Sequence, residues 1–311
     1  MEILLLSVIV CTYNRVNLLG NCLASLCEQD LNCELFEIIV VDNNSGDNTY
    51  NVVSGYMKKK RNIRYVTEKK QGLSYARNRG CDEARSQYLL YIDDDALAPP
   101  GYLSNILDII KKYEPDLLGG PVYPYYTEEK PRWFKDEYEI RKSEEKSGFS
   151  HSCRVSGSNY TIKESILKQV GMFDVSLGMK GDKIGIGEER KVLETYREKT
   201  PRDKQKVYYA LGCYIKHHVP QYKMKIRYLM ERHYVSGKIM SRMENKKHKA
   251  VNIILLVIKL PLILVWRTFR ELMKHGPIKA DYIDVWRSIF FNIGWIVEAL
   301  NQGRRKKFIT I

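Results

Sequence analysis

Three consecutive aspartates end one apolar run of the chain. The run at residues 88–92 (YLLYI) has the length and composition of a buried strand, and Asp93, Asp94 and Asp95 follow it directly. The proline pair at residues 99–100 prevents the strand from continuing. Three carboxylates at one strand end repel one another, so the cluster favours a bound divalent cation such as Mg²⁺ or Mn²⁺, which prefers oxygen ligands. A solvated acidic turn is the alternative interpretation.

Two apolar runs nearer the N-terminus also end in polar residues. Residues 7–11 (SVIVC) lead into Thr-Tyr-Asn-Arg, and residues 36–41 lead into the cluster DNNSGD at residues 42–47. Between them, residues 17–28 carry apolar side chains at helical spacing. A strand, a helix and a strand in this order predict a right-handed βαβ unit of a parallel sheet, and ligands bind such sheets at the carboxyl ends of the strands. The sequence therefore predicts an α/β fold with a ligand site where the polar clusters meet.

Seven segments of the chain together resemble the inverting family 2 glycosyltransferases of the GT-A fold. They occur in the family's order and are SVIVCTYNR (7–15), VVDNNSGDNT (40–49), GLSYARNRG (72–80), IDDDALAPPGYL (92–103), VSGSNYTIKESILKQVGMFD (155–174), GIGEER (185–190) and IKHHVP (215–220). The resemblance is to the bacterial and archaeal type with membrane-associating C-terminal helices. It implies a Rossmann-like, mixed but mainly parallel sheet with flanking helices and a C-terminal helical appendage. It also implies transfer of a hexosyl or related sugar from a nucleotide-diphospho-sugar to an acceptor hydroxyl with inversion, in polysaccharide or lipid-linked glycan synthesis.

The resemblance implies a metal site. Asp93 and Asp95 match the D-x-D motif of the family, in which Asp95 would bind the metal directly and Asp93 would reach the ribose or a metal-bound water. Asp94 would support them, and it counts with Asp93 among the donor-binding residues. His217, in IKHHVP, matches a metal-binding or diphosphate-contacting histidine, so the expected metal ligands are Asp93, Asp95 and His217. A structural histidine is the alternative at that position.

The same resemblance implies a nucleotide site. Asp42 matches a carboxylate that accepts a hydrogen bond from the nucleobase or the ribose, and a turn residue is the alternative. Arg77 matches a basic residue near the diphosphate, where a permanently charged fork suits phosphate, and a surface salt bridge is the alternative. The other donor-side candidates come from the matched segments: Cys11, Tyr13, Asn14 and Asn44. A UDP-sugar is the expected donor, with GDP- and dTDP-sugars left open, and Mg²⁺ or Mn²⁺ is the expected cofactor.

The catalytic base is expected in the GEER segment. The family usually has Glu-Asp there and this chain has Glu188-Glu189, so Glu189 takes the place of the usual base and Glu188 is the second candidate. A solvated helix N-terminus is the alternative, because acidic side chains complement the helix dipole. The acceptor-side candidates are Gly157, Ser158, Asn159 and Trp133. Trp133 lies in a variable region and is equally compatible with a core or lid position.

The positive charge of the chain is concentrated at its C-terminal end. Residues 221–311 hold 19 Lys and Arg against 6 Asp and Glu, a net charge of +13, whereas residues 1–220 are close to neutral at +1. The two apolar stretches 250–266 and 288–300 lie in the same basic part. This combination favours an anionic membrane surface over nucleic acid as a partner. We expect a catalytic domain at 1–220 and, at 221–311, a membrane-associated tail of re-entrant or in-plane helices; spanning helices and a soluble subdomain are the alternatives.

Cysteine usage and the N-terminus predict the compartment. The seven cysteines contain no C-x-x-C pair, and residues 3–11 lack the basic start of a signal peptide, so we expect reduced thiols. The expected location is the cytoplasmic face of the cell membrane, with a saccharide or a lipid-linked saccharide as acceptor. Two other classes stay open. One is a sugar-nucleotide pyrophosphorylase-like enzyme, although TYNR rather than a glycine-rich loop follows the first strand, and the other is a non-catalytic membrane-bound scaffold.

Overall fold

The structure is a computed structural model that describes residues 4–181, 183–243 and 281–307. Its α-helices are α1 (Val16–Cys27), α2 (Thr49–Lys59), α3 (Leu73–Glu83), α4 (Tyr102–Tyr113), α5 (Glu164–Val170), α6 (Glu188–Lys199), α7 (Ile226–Met243) and α8 (Asp281–Lys307). Its strands are β1 (Leu6–Thr12), β2 (Phe36–Asp42), β3 (Ile63–Thr67), β4 (Tyr88–Asp93), β5 (Ala96–Leu97), β6 (Leu117–Gly119), β7 (Val122–Tyr125), β8 (Gly148–Phe149), β9 (Asn159–Lys163), β10 (Val207–Tyr209) and β11 (Ile215–His218). The alternation of strands and helices up to α4 is typical of the α/β class that the sequence predicts.

The chain divides into two compact units. The first comprises Met1–Tyr125, Glu139–Lys183 and Glu188–His218. The second comprises Tyr126–Tyr138, Ile184–Gly187 and Val219–Ile311. Two short segments of the N-terminal part therefore group with the C-terminal part. The functional division into a catalytic domain at 1–220 and an appendage at 221–311 stays a prediction.

The first unit contains an eight-stranded sheet in the order β3-β2-β1-β4-β9-β6-β10-β8. β1 pairs in parallel with β2 and β4, and β2 pairs in parallel with β3, whereas β9 runs antiparallel to β4 and β6. This arrangement confirms the predicted mixed, mainly parallel sheet. Because the carboxyl ends of parallel strands share one edge of a sheet, the polar loops after β1, β2 and β4 lie together at that edge.

Side chains of β1 alternate between two apolar layers. Val8 and Val10 belong to a buried cluster that includes residues of α1, α2 and α4. Ile9 belongs to a second cluster, which includes residues of α3, α5 and α6. Since successive side chains of a strand point to opposite faces, the two clusters lie on the two faces of the sheet. Both faces of β1 are therefore buried, which explains why its sequence is a continuous apolar run.

Helices α7 and α8 pack against each other in the second unit, with their backbones in close approach. A Cβ atom on Gly237 would lie 1.8 Å from the carbonyl oxygen of Phe291. One on Gly294 would lie 2.0 Å from the carbonyl oxygen of Tyr234. Only glycine fits at both positions, so this helix pair is fixed by backbone contact.

The predictions for the C-terminal helices are only partly covered by the structure. The apolar stretch 250–266 lies outside the described residues, and the stretch 288–300 forms part of α8. Among the helices that the structure describes, none combines the length and the apolar character that membrane crossing requires. Membrane association of the C-terminal helices stays a prediction.

Candidate active site

Three candidate metal ligands lie together at the carboxyl end of β4. Asp93, Asp95 and His217 each bring one ligand atom into a group in which all atoms lie within 4.8 Å of one another. Nε2 of His217 lies 3.2 Å from Oδ1 of Asp95 and 3.5 Å from Oδ2 of Asp93. The structure therefore brings together the three residues that the sequence analysis named as metal ligands.

A small second sheet positions His217. The strand order is β5-β11-β7, and the antiparallel pairing of β5 with β11 sets His217 opposite Ala96. The backbone N–H of His218 also donates to the carbonyl oxygen of Asp95 over 2.9 Å. Nδ1 of His217 lies 3.1 Å from the carbonyl oxygen of His218, and because a carbonyl oxygen only accepts, Nδ1 carries the proton in this contact. Nε2 then faces the carboxylates of Asp93 and Asp95, and it offers them a proton when the imidazole is charged and a metal ion a lone pair when the imidazole is neutral.

This set of donor atoms fits a divalent cation. Two carboxylate oxygens and Nε2 of an imidazole lie within 4.8 Å of one another, and when the imidazole is neutral they repel one another unless a positive charge lies between them. Asp95 and His217 are buried, whereas the side chain of Asp93 is 28% exposed. Burial raises the pKa of Asp93, but contact with His217 and the charge of Arg77 outweigh it and hold the pKa below its usual range. Asp93 is therefore ionised, as a ligand must be.

Asp94 has a separate set of contacts. Its Oδ2 accepts a hydrogen bond from the Thr12 hydroxyl at 2.7 Å, and its Oδ1 lies 3.2 Å from Nη1 of Arg15. The same Nη1 lies 3.3 Å from Oδ2 of Asp95. Burial raises the pKa of Asp94 to about 7, with Arg15 opposing the rise and Asp95 adding to it. Asp94 thus ties the end of β1 to the acidic turn, through an arginine that the sequence analysis did not single out.

Arg77 is buried, with 3% of its surface exposed, and its guanidinium connects three parts of the site. Nη1 lies 2.6 Å from Oε1 of Glu188. Nη2 contacts Oδ1 of Asp93 at 3.3 Å and donates to the carbonyl oxygen of Gly157 at 3.0 Å. A Cβ atom on Gly157 would lie 2.8 Å from Nη2, so only glycine leaves room for the guanidinium. The ion pairs of Arg77 are therefore internal ones, and its contact with a diphosphate stays a prediction.

The two glutamates at the start of α6 have different surroundings. Glu188 is buried against Arg77, whereas Glu189 is half-buried and lines a cleft. Burial raises the pKa of Glu188 to about 7, and the charge of Glu189 adds to the rise while Arg77 opposes it. Within the described part of the chain, the Glu189 carboxylate makes no hydrogen bond to protein. It is therefore available to a molecule in the cleft.

The loops after β1 and β2 are tied to each other. The N–H of Asn14 donates to Oγ of Ser45 at 2.9 Å, and Oδ1 of Asn14 accepts from the N–H of Gly46 at 2.7 Å. The N–H of Val16 donates to Oδ2 of Asp47 at 3.1 Å, at the start of α1. These contacts hold the predicted donor-side segments as one connected edge of the sheet.

The carboxylate of Asp42 is bound within the fold. Its Oδ1 accepts from the N–H of Ser45 at 2.8 Å, and its Oδ2 accepts from the Tyr65 hydroxyl at 2.5 Å. Burial and, after it, the contact with Asp42 raise the pKa of Tyr65 to about 12. Each carboxylate oxygen can accept more than one hydrogen bond, so Asp42 combines the turn contact with capacity for a further donor. Tyr65 was not a candidate from the sequence.

The remaining donor-side candidates differ in exposure. Cys11 is half-buried on β1 beside Asp93 of β4, and burial raises the pKa of its thiol to about 12, so the thiol stays protonated. Tyr13 is half-buried in the loop after β1. Asn44 is exposed in the loop after β2, with a positive φ of 67°. All three lie at the edge where β1 and β2 end.

A cleft of about 680 Å³ is lined in part by Glu189. Its walls also carry the cationic side chains of Arg141, Lys142 and Arg154 and the serines at 143, 152 and 156. The volume lies within the range of about 300–1,000 Å³ that is usual for ligand sites. No motif marks the basic residues of this cleft in the sequence, and the sequence analysis did not single them out.

The acceptor-side candidates occupy different environments. The Ser158 hydroxyl is buried and accepts from Nη1 of Arg141, which lines the cleft, at 3.2 Å. Gly157 is held against Arg77, as described above.

Asn159 and Trp133 lie elsewhere. The amide nitrogen of Asn159 donates to the carbonyl oxygens of Pro121 and Cys213, and its Oδ1 accepts from the Tyr102 hydroxyl at 2.7 Å. The amide of Asn159 is thus bound within the core, and its place on the acceptor side stays a prediction. Trp133 belongs to the second unit, where it packs against an apolar cluster, and its contact with a sugar stays a prediction.

Comparison with protein families gives one match that spans much of this site. The family model described as Glycosyl transferase family 2 matches residues 7–171, which is more than half of the chain. The matched region includes the acidic turn, Arg77 and Gly157, whereas α6 and β11 follow it.

Two curated relatives are transferases with lipid-linked substrates in their names. Glucosyl-dolichyl phosphate glucuronosyltransferase of Haloferax volcanii is 26% identical over 239 residues, which are 74% of this chain and 74% of the relative. GalNAc(5)-diNAcBac-PP-undecaprenol beta-1,3-glucosyltransferase of Campylobacter jejuni is 38% identical over 104 residues, which are 33% of each protein. The first match extends well beyond the family region, and the second is confined to a third of the chain.

Solved structures share the fold. Mannosyltransferase PcManGT from Pyrobaculum calidifontis, in complex with GDP-Man and Mn²⁺, aligns with a TM-score of 0.61 and 16% identity over 97% of this chain and 87% of that one. Residues 1–349 of S. aureus TarS, in complex with UDP-GlcNAc, align with a TM-score of 0.58 and 17% identity over 96% and 92%. At these identities the likeness concerns the fold alone, and it agrees with the GT-A fold that the sequence predicts.

Proposed function

The chain belongs to glycosyl transferase family 2 and is a glycosyltransferase, and we propose that it moves a sugar from a nucleotide-diphospho-sugar to an acceptor hydroxyl with inversion. The observation that carries the proposal is the chain of contacts around Arg77 in the first unit. Its guanidinium joins Asp93, one of the three metal-ligand candidates, to Glu188, and the next residue, Glu189, lines a cleft and makes no hydrogen bond to the described residues. Sugar transfer needs these parts: a site for the departing diphosphate and, next to it, a base for the attacking hydroxyl.

The departing diphosphate is assigned to the side of Asp93, Asp95 and His217. A divalent cation, Mg²⁺ or Mn²⁺, would supply the positive charge that stabilises the leaving nucleoside diphosphate. Asp95 and His217 hold their ligand atoms from buried positions, and the partly exposed Asp93 faces the substrate side. The ion pair with Arg77 holds the Asp93 carboxylate in place. A carboxylate that is already oriented needs less rearrangement when charge develops on the leaving diphosphate.

Glu189 is assigned the role of general base. The acceptor oxygen forms a bond to the anomeric carbon as the bond from that carbon to the diphosphate oxygen breaks. The hydroxyl proton passes to the Glu189 carboxylate, and the nucleoside diphosphate leaves with the bonding electrons. A single displacement of this kind inverts the configuration of the carbon. Glu188 is less suited to the role because it is buried in an ion pair with Arg77.

The donor nucleotide is assigned to the edge formed by Cys11, Tyr13, Asn14, Asp42 and Asn44, and we expect uridine as the base. One structural neighbour was solved with UDP-GlcNAc and another with GDP-Man. Thermal unfolding with Mn²⁺ and UDP, GDP or dTDP compares the binding of the three nucleotides, because a ligand of the folded state raises the melting temperature. The largest shift is expected with UDP.

We assign a saccharide, free or lipid-linked, as the acceptor. We also assign the enzyme to the cytoplasmic face of a membrane. Two relatives carry dolichyl phosphate or undecaprenol diphosphate in the names of their substrates. The net charge of +13 in residues 221–311 fits an anionic lipid surface. Both points support a membrane-bound acceptor.

Incubation of the full-length protein with Mn²⁺ and a panel of nucleotide sugars tests the proposal. We expect release of a nucleoside diphosphate, increased by a glycolipid acceptor. Pyrophosphate chemistry would indicate a pyrophosphorylase-like enzyme instead. No turnover with any donor would indicate a scaffold, and either result overturns the proposal.

A further inference from the structure

The cleft lined by Glu189 carries three cationic side chains, Arg141, Lys142 and Arg154, against the two carboxylates Glu144 and Glu189. Lys142 is paired with Glu145 at 2.5 Å, and Glu144 accepts a hydrogen bond from a serine hydroxyl at 2.9 Å. In contrast, neither Arg141 nor Arg154 forms an ion pair within the part of the chain that the structure describes, and both are exposed. Two guanidinium groups therefore remain available to a ligand in the cleft.

Arg141 is held in place by neutral groups. Its Nη1 donates to Oγ of Ser156 at 3.1 Å and to Oγ of Ser158 at 3.2 Å, and its backbone pairs with Val122 in both directions at 3.0 Å. Hydroxyl partners orient a guanidinium without neutralising it. Among the described residues no protein acceptor occupies its Nε–H and Nη2–H groups, so the charged fork is preorganised for an anion.

The cationic cleft adjoins the groups assigned to sugar transfer. Ser156 and Ser158, which hold Arg141, flank Gly157, whose carbonyl oxygen accepts from Arg77 at 3.0 Å. Arg77 in turn contacts Oδ1 of Asp93 at 3.3 Å. A molecule bound by Arg141 in this cleft is therefore adjacent to both the base side and the metal-ligand side of the site.

We propose that this cleft is the subsite for an anionic group of the acceptor, a phosphate or diphosphate ester close to the hydroxyl that is glycosylated. The inference rests on the proposed function and adds to it the class of acceptor. The fork of an arginine matches phosphate oxygens in a bidentate manner, and two such forks line a space of about 680 Å³, enough for more than a hydroxyl group. A lipid-linked saccharide and a soluble sugar phosphate both carry this chemistry.

Binding measurements on full-length protein saturated with Mn²⁺ and UDP test the proposal, because the donor side is then filled. The probes are geranyl phosphate, glucose 1-phosphate and the neutral octyl glucoside. The variants are Arg141→Gln and Arg154→Gln, and Arg79→Gln is the matched control, since Arg79 is an exposed arginine paired with Glu83 on α3. We expect the wild type to bind the phosphate probes, and each cleft variant to bind them at least about tenfold more weakly, as loss of a charge-assisted hydrogen bond implies. Arg79→Gln should behave as wild type.

The outcomes separate the proposal from its premise. Tighter binding of geranyl phosphate assigns a lipid-linked acceptor, and tighter binding of glucose 1-phosphate assigns a soluble one. Equal binding of phosphate and neutral probes, or cleft variants that bind the phosphates as wild type does, would overturn the subsite. Weaker binding of UDP with Mn²⁺ by Arg154→Gln would also overturn it, because the cleft would then serve the donor. Nucleoside diphosphate release by the wild type is measured separately, so failure of the proposed function is recognised independently.

Discussion

At the scale of single residues, the contrast between Glu188 and Glu189 decides where a proton can go. The two carboxylates are adjacent in sequence, yet one is buried against Arg77 and the other lines the cleft. A general base must contact the acceptor hydroxyl, so the position of the two carboxylates distinguishes Glu188 from Glu189 better than their charge does. The first turn of α6 therefore combines an internal ion pair with an outward carboxylate.

The base assignment predicts the effect of Glu189→Gln. The amide keeps the size and the hydrogen-bonding capacity of the side chain but takes up no proton, so kcat should fall by about 10²-fold or more. The rise in melting temperature caused by Mn²⁺ and UDP should stay unchanged, because the donor does not use this residue. Steady-state release of nucleoside diphosphate measures the first effect. A Glu189→Gln enzyme with wild-type kcat would place the base elsewhere, with Glu188→Gln as the next variant.

The metal assignment predicts the effect of Asp95→Asn. The substitution keeps the shape of a buried side chain but removes one anionic ligand from the group of Asp93, Asp95 and His217. Loss of several kcal/mol of charge stabilisation corresponds to a decrease in kcat of about 10³-fold. The fold should persist, and the rise in melting temperature with Mn²⁺ and UDP should disappear. A variant that stays active in the presence of EDTA would contradict the assignment.

The sequence predicted those residues whose function is encoded in a local motif. Asp93 and Asp95 follow an apolar strand and could be named from the run alone, and His217 was added by the order of the family segments. Arg15 stood inside a recognised segment but received no role, because its contacts with Asp94 and Asp95 link distant parts of the chain. Tertiary contacts of this kind leave no periodic or spacing signal in the sequence.

At the scale of elements, the ion pair between Asp174 and Lys191 links the turn after α5 to α6. The two atoms are 2.6 Å apart, and Ser176 donates two further hydrogen bonds to Asp174. Burial would raise the pKa of Asp174, but the bonds from Lys191 and Ser176 lower it to about 2. The pair therefore helps to hold the helix that presents the two glutamates.

This lowered pKa predicts a pH-dependent contribution to stability. Because the pKa of Asp174 is lower in the folded than in the unfolded protein, its contribution is full above about pH 4 and is lost as the pH falls toward 2. The pair is partly exposed, so Asp174→Asn should reduce the free energy of unfolding by only about 1 kcal/mol at neutral pH. Urea unfolding of wild type and variant at pH 7 and pH 3 measures the difference, which should shrink at the lower pH. A difference that is constant or grows on acidification would contradict the linkage.

The contact between α7 and α8 predicts a steric effect of Gly294→Ala. The added methyl group would lie 2.0 Å from the carbonyl oxygen of Tyr234, so the helices must separate, at a cost of about 1–3 kcal/mol. Gly55→Ala is the matched control, because Gly55 lies within α2 with open space around it and alanine favours a helix by about 1 kcal/mol. Chemical unfolding followed by circular dichroism should show opposite signs for the two variants. Equal effects would mean that backbone contact does not limit this helix pair.

The elements themselves were predictable in proportion to their length. The βαβ unit of β1, α1 and β2 follows from long apolar runs and helical spacing, and the structure confirms it. The strands β5 and β8, of two residues each, could not be predicted, because so few residues carry no recognisable period. Yet β5 pairs with β11 and thereby helps to position His217. A strand that could not be predicted from the sequence therefore contributes to the metal-ligand group.

At the scale of the whole molecule, charge and apolar surface coincide in the C-terminal part. Residues 221–311 carry a net charge of +13, against +1 for residues 1–220. On α8, Trp286, Ile293 and Leu300 are exposed and follow one another at intervals of seven residues. Two helical turns separate such positions, so the three side chains lie along one face of the helix. An exposed apolar line within a basic segment is typical of a surface that lies on anionic lipid.

This distribution predicts that the full-length protein sediments with vesicles that contain anionic lipid and binds neutral vesicles less. Each Lys or Arg near such a surface is worth about 1 kcal/mol, so several together should dominate the initial attraction. If apolar side chains then insert, high salt should release only part of the protein and detergent the rest. Combined replacement of Trp286, Ile293 and Leu300 by serine should make the binding fully salt-sensitive, whereas Met57→Ser, which alters an exposed apolar residue of α2, should leave it unchanged. If the full-length protein ignores anionic vesicles at low salt, the basic charge serves another purpose, and the acceptor must then reach the enzyme from solution.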